Sequence, residues 1–161
     1  MMNICLSCLR GWPYNFFIME RQTISIDKLK TLLHKPLEPF AYTLSRELVS
    51  DYIGTVKNSP DYYYSGLIVP CFILPTLGCE QMISKMLEMK GIVLQGGSTL
   101  SVYEQIPVGC TISINAVISN IKESKLDGYM CIITIDKDYY VNNNLVAHCR
   151  QLSVVKGGLS S

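Results

Sequence analysis

The sequence predicts an α+β fold in which an antiparallel sheet wraps around one long central helix. Three observations carry this expectation. Within residues 62–91, the residues Phe72, Cys79, Met82, Ile83, Met86 and Met89 recur at helical period, with Glu80, Gln81, Ser84, Lys85 and Glu88 between them. Lys90-Gly91 is an ordinary helix stop. Everything after Gly91 reads as strands, spaced by two turn signals, Asp127-Gly128 and the run Asn142-Asn143-Asn144.

Taken in order, residues 1–18 stand apart from the rest. Trp12, Pro13, Phe16 and Phe17 follow no period, and Arg10 and Pro13 interrupt what a signal peptide would need as an apolar core. This stretch is expected to be a disordered extension or a mis-chosen start, with Met19 opening the single domain of residues 19–161. Cys5-x-x-Cys8 is half of a zinc knuckle with no second pair nearby, so no metal is expected. Ile26, Leu29, Leu32 and Leu33 predict a short amphipathic turn or two, ended by Pro36. Phe40-Ala41-Tyr42-Thr43 is a brief strand. Ser45 suits an N-cap with Glu47 in the first turn, and Leu48, Val49, Tyr52, Ile53 and Val56 continue at helical spacing. Lys57-Asn58-Ser59-Pro60-Asp61 breaks that helix.

Beyond Gly91, a strand is expected at residues 100–105, after a flexible Gly96-Gly97. Others follow at 111–116, 129–135 and 145–155, and the tail from Gly157 is expected to fray. They make a meander.

At 161 residues the chain is large enough to bury a core without staples. Its 14 basic and 13 acidic residues nearly balance and form no cluster, which argues against a nucleic-acid partner. The longest apolar run, 67–78, is too short to cross a bilayer and holds Pro70 and Pro75, so no membrane partner is expected. Five of the seven cysteines, Cys71, Cys79, Cys110, Cys131 and Cys149, lie in apolar segments as small hydrophobes. An odd count without regular spacing reads as a reducing cytoplasm rather than a disulfide framework.

Four features together resemble the MaoC-like dehydratases, in particular their N-terminal or single-subunit type. They are the helix over 46–56 with Tyr52 near its end, Gly66-Leu67-Ile68-Val69-Pro70-Cys71-Phe72, Val93-Leu94-Gln95-Gly96-Gly97-Ser98, and Pro107-Val108-Gly109-Cys110-Thr111. The resemblance covers residues 36–155 and rests on their order more than on any single motif. It implies a hot dog fold and the syn hydration of 2-enoyl thioesters, or its reverse, with an aspartate and a histidine as acid and base. It also implies a backbone N–H at the start of the central helix that stabilises the thioester oxygen. No cofactor is implied beyond a ligand, the acyl-CoA or acyl-carrier-protein thioester. Fatty acid metabolism is the implied setting.

Active members of that family carry Gly-Asp-x-Asn-Pro-x-His in the loop before this helix. Here the loop reads Lys57-Asn58-Ser59-Pro60-Asp61-Tyr62, which places Asn58 at the aspartate and Tyr62 at the histidine after a one-residue deletion. Neither is an acid or base at neutral pH. Asn58 reads first as a turn residue, and Asp61 either as a displaced general base or as a solvated loop acid. Tyr62, Tyr63 and Tyr64 read as packing or contact surface. Tyr63, Gly66, Pro70, Cys71, Phe72, Gly96 and Gly97 are the implied substrate-binding positions, with Cys71 acting through its backbone and its thiol inert among apolar neighbours. Met82, Met86 and Met89 read as core, or as the wall of an acyl tunnel. His34 precedes the first helix, and His148 reads as a satisfied strand histidine without an Asp or Ser arranged around it.

Three functional expectations follow. One is a non-catalytic acyl-binding subunit paired with a catalytic hot dog chain. The second is a self-sufficient (R)-specific enoyl-thioester hydratase or dehydratase, and the third a thioester-binding or thioesterase-like homo-oligomer. All three imply a second hot dog subunit, as homo- or heterodimer, because the sheet edge invites one.

Overall fold

The computed structural model describes residues 24–55, 67–77, 92–124, 130–156 and 159–160. In chain order the elements are β1 (Ile24–Ser25), α1 (Ile26–Lys30), β2 (Phe40–Thr43), α2 (Arg46–Thr55), a 3₁₀ turn (Cys71–Thr76), β3 (Ile92–Val102), β4 (Thr111–Ser124), β5 (Met130–Val141), β6 (Asn144–Lys156) and β7 (Leu159–Ser160). Five strands form one antiparallel sheet in the order β2-β4-β5-β6-β3. β1 and β7 pair in parallel as a separate short ribbon. That pairing corrects the expectation of a frayed tail: Leu159 lies opposite Ile24, and Ser160 opposite Ser25.

Alternation sets which face is buried. Along β4 Ile112, Ile114, Ala116 and Ile118 turn inward, and along β5 Cys131, Ile133, Ile135, Lys137 and Tyr139 do so. Every strand of the meander outruns its predicted length; on β5 the reading ends at Ile135 because the next inward position is Lys137. Ser124 opposite Met130 closes the β4–β5 hairpin, whose Asp127-Gly128 turn lies outside the described residues. The β5–β6 turn is formed by Asn142 and Asn143 at φ 50° and 67°, the left-handed pair that a two-residue hairpin needs and asparagine tolerates.

The sheet's curl has local causes. Register shifts fall between Ile118 and Asn120 on β4, between Gln95 and Gly97 on β3, and at Tyr139/Tyr140 against β6. Each inserts an extra residue that bends its strand. Gly96-Gly97 therefore sits inside β3 rather than before it, correcting the predicted strand start.

Two apolar clusters fill the inner face. At one end Leu44, Val49, Ile53, Val69, Ile73, Leu74 and Leu77 pack on Ile112, Ile114, Tyr139, Ala147 and Cys149. At the other, Ile26 and Leu29 of α1 pack on Ala116, Ile118, Cys131, Ile133, Ile135 and Val155. α1 ends sooner than its predicted period, so Leu32 is exposed. α2 starts as expected: Leu48 N–H donates to Ser45 Oγ at 3.2 Å. The expectation for residues 1–18 falls outside the described residues, and so does most of the predicted central helix, 78–91.

Candidate functional site

Two stretches far apart in sequence meet beside α2. Val69 N–H donates to Ile106 O at 2.8 Å, Val108 N–H donates to Leu67 O at 3.1 Å, and Ile68 bridges Pro107. Two of the four motifs behind the family resemblance are thus joined as a short ladder. Gly109, at φ +91°, needs its glycine there, and its N–H donates to Leu44 O at 2.7 Å, tying the same turn to the end of β2.

The ladder delivers the chain to buried Pro70 and then to the turn that carries half-buried Cys71 and Phe72. The sequence predicts α-helix from Phe72, but the described start is 3₁₀. Pro75 disfavours α geometry there: its ring would crowd the Cys71 carbonyl four residues back, and it has no N–H to donate along the chain. Ile73 N–H bonds Pro70 O and Leu77 N–H bonds Leu74 O, both at 3.1 Å. The Phe72 carbonyl, which Pro75 cannot serve, accepts from Tyr52 Oη at 3.2 Å, and the Tyr52 and Phe72 rings stack with centroids 5.6 Å apart. Burial raises the Tyr52 phenol pKa, against a smaller lowering by the Thr76 hydroxyl, so the phenol remains a donor at neutral pH.

Three further carbonyls, those of Leu74, Pro75 and Leu77, are held from the sheet. Tyr139, fully buried, donates its hydroxyl to Leu74 O at 2.7 Å. Lys137, also fully buried, donates Nζ to Pro75 O and to Leu77 O, each at 3.1 Å. Sequence reading missed both residues. The signal was present: carrying the alternation of Cys131, Ile133 and Ile135 two steps further puts Lys137 and Tyr139 on the buried face.

No protein-family model matches the chain, and no curated protein matches it. Solved structures do. One is the C-terminally truncated HadBC (3R-hydroxyacyl-ACP dehydratase) complex of Mycobacterium tuberculosis, with TM-score 0.61 and 11% identity over 76% of this chain and 96% of that one. Another is the MaoC-like dehydratase of Rhodospirillum rubrum, with TM-score 0.56 and 14% identity over 80% and 96% of the two chains. A third is a variant of the fluoroacetyl-CoA-specific thioesterase FlK, with TM-score 0.58 and 10% identity over 76% and 86%. The chain has the hot dog fold.

In this hot dog sheet the predicted positions divide into three groups. Pro70, Cys71 and Phe72 stand together in the clamped turn. Gly96 and Gly97 lie at the β3 bulge, facing β6: a Cβ on Gly96 would meet Leu152 O and Val154 Cγ2 at 3.5 Å, ordinary contact. A Cβ on Gly97 would meet open space, so no close backbone approach demands a glycine at either position. Asn58, Asp61, Tyr62, Tyr63 and Gly66, with Met82, Met86 and Met89, lie outside the described residues.

His148 requires a correction. Its Nδ1 lies 2.7 Å from Asp138 Oδ1 and its Nε2 lies 3.9 Å from Asp136 Oδ1, so two aspartates do flank it. Asp136 is in turn held by Arg150 through Nε at 2.7 Å and a second nitrogen at 3.1 Å. The register explains what the sequence hid: Asp138 lies opposite His148 and Asp136 opposite Arg150 across β5 and β6. Residues ten and fourteen apart in sequence become neighbours on the outer face. Among the described residues no cluster of three His, Cys, Asp or Glu side chains is placed to hold a metal, and no helix is long and apolar enough to cross a membrane.

Proposed function

We propose that this chain is an acyl-thioester-binding hot dog subunit that works beside a catalytic hot dog chain. The observation that carries the reading is the loop Lys57-Asn58-Ser59-Pro60-Asp61-Tyr62, which holds no histidine where the resembling family places its base. The partner supplies the aspartate and histidine. This chain supplies the turn at Pro70, Cys71 and Phe72, with the Cys71 backbone amide toward the thioester oxygen and the methionine stripe as tunnel wall. The ligand is an acyl-CoA or acyl-carrier-protein thioester, and the setting is cytoplasmic fatty acid metabolism.

Two observations support a partner. The HadBC structure, similar in fold, is itself a complex. β3 is an outer strand of the five-stranded sheet, and Leu94 and Val102 along it are exposed. Light scattering of the purified chain is expected to give a dimer, and a clean monomer would count against self-association while leaving a heterodimer to test.

The deciding experiment is a 2-enoyl-CoA hydration assay, read as loss of enoyl absorbance. The chain alone is expected to give no turnover, and turnover is expected once a catalytic MaoC-like partner is added. Turnover by the chain alone that disappears in Asp61→Asn would instead establish a self-sufficient (R)-specific hydratase with a displaced acid. The likeness to FlK favours one further reading, a thioesterase-like homo-oligomer; release of free thiol from an acyl-CoA would reveal it.

A further inference from the structure

Among the described residues Lys137 is the one charged side chain that is fully buried. Its neighbours across the sheet are Ala116 on β4 and Cys149 on β6, both buried, and on its own strand Ile135 and Tyr139 share its face. An ammonium group is among the most expensive groups to bring into such surroundings. If the position needed only volume, methionine or leucine would fill it at no electrostatic cost. What lysine adds is a donor that reaches Pro75 O and Leu77 O together, on either side of Thr76.

We propose that Lys137 is a positioning residue for the acyl thioester: it fixes the pose of the turn over residues 70–77, and with it Pro70, Cys71 and Phe72. The inference rests on the acyl-thioester reading above and names the part of the sheet that sets that site's geometry. Tyr52 holds the turn at Phe72 O, Tyr139 at Leu74 O, and Lys137 at Pro75 O and Leu77 O. The segment is pinned along its carbonyls from α2 and from β5. Lys137 does not touch the ligand. Four to six residues of 3₁₀ rise separate its contacts from Cys71, roughly 8–12 Å, so its influence travels through the turn.

A purely structural role would hold the turn with no consequence for the ligand, so the test reads both. Global stability is a poor readout, because Lys137→Met removes a buried charge and also removes two hydrogen bonds to carbonyls, effects of opposite sign. Amide hydrogen exchange of the intact chain and calorimetric titration with crotonyl-CoA and with CoA separate the readings. In Lys137→Met, amides of residues 73–77 are expected to exchange faster while those of β4 to β6 hold. The preference for crotonyl-CoA over CoA is expected to fall about tenfold, the equivalent of one well-aligned hydrogen bond, with CoA affinity unchanged. Lys137→Gln, which keeps an N–H donor, should recover part of that preference.

Faster exchange with the preference intact makes Lys137 a structural cap and overturns the inference. Unchanged exchange overturns it as well. A wild-type chain with no preference for crotonyl-CoA refutes the acyl-thioester reading itself, and the inference with it, before any variant is made. If neither Lys137 variant folds, Tyr139→Phe loosens the same turn at Leu74 O. Faster exchange there without loss of preference would show that the turn's pose does not matter to the ligand.

Discussion

The two ends of the sheet's inner face hold their helical segments by different means. At the far end α1 lies on Ala116, Ile118, Cys131, Ile133, Ile135 and Val155 through Ile26 and Leu29, a buried contact that is apolar, with the Lys30–Glu123 ion pair at its solvent-exposed edge. At the near end the turn after Pro70 also rests on apolar residues, but four of its carbonyls, those of Phe72, Leu74, Pro75 and Leu77, are taken by Tyr52, Tyr139 and Lys137. Apolar burial is strong and carries no direction. It keeps a helix on a sheet without deciding how the helix is turned. Hydrogen bonds add little net stability and much orientation. The contrast locates the part of the molecule where orientation matters.

The largest effect should come from the apolar end. Ile133→Ala removes a fully buried side chain from beneath α1 and is expected to cost about 2–5 kcal/mol in urea unfolding, leaving amide exchange of residues 73–77 unchanged at matched fractions unfolded. Selective loosening of that distant turn would break the division into two ends.

The same end carries a pH-dependent element. Burial, with a smaller contribution from the Glu123 charge, pushes the Cys131 thiol up to about 11. The folded state therefore favours the neutral thiol. Its contribution is complete below the unfolded thiol value of about 8.5 and fades as pH rises toward 11. The denaturation midpoint should fall over that window, and Cys131→Ala should flatten part of the fall. Equal slopes for the two proteins would show that Cys131 is not the group responsible.

At the directional end the expected effect is smaller and local. Tyr139→Phe keeps the ring and leaves Leu74 O without its 2.7 Å partner, a loss of about 1–2 kcal/mol. Exchange at Leu77, whose N–H also bonds Leu74 O, should accelerate more than exchange anywhere in β4. A uniform rise across both would mean that the hydroxyl supports the whole fold and not the turn.

These differences also mark what the sequence could disclose. Hydrophobic alternation, the asparagine turn and the Ser45 cap are local signals, and they led to a sheet of the right kind. The predicted end of β5 at Ile135 falls short because Lys137, the next inward position, interrupts the apolar alternation. Its partners, Pro75 O and Leu77 O, are backbone atoms some sixty residues earlier in the chain, and nothing in a residue's identity announces a carbonyl contact at that separation. The same holds for His148, whose aspartates become neighbours only through the β5–β6 register. The break in the regular α-helix was legible in Pro75 itself, since its ring crowds the carbonyl four residues back and its missing N–H interrupts the helical ladder. The role of Gly96-Gly97 was not, because the dipeptide reads equally as a linker or as a bulge.

The smallest effect belongs to the outer face, where the cross-strand pair Asp136–Arg150 sits in contact with solvent. Arg150 holds the Asp136 carboxyl below the ordinary aspartate value, chiefly by its hydrogen bond and then against some desolvation. A depressed carboxylate stabilises the fold above its unfolded pKa of about 3.9 and loses that contribution as pH falls through the lower folded value. With Arg150 60% exposed, solvent screening keeps the contribution small at neutral pH. Arg150→Ala should therefore lower the urea midpoint slightly at pH 7, converge with the wild type below pH 3, and show a smaller difference in high salt. A loss that persists at low pH would reassign the arginine to packing by its aliphatic stem, and would place on the outer face the same non-directional holding found beneath α1.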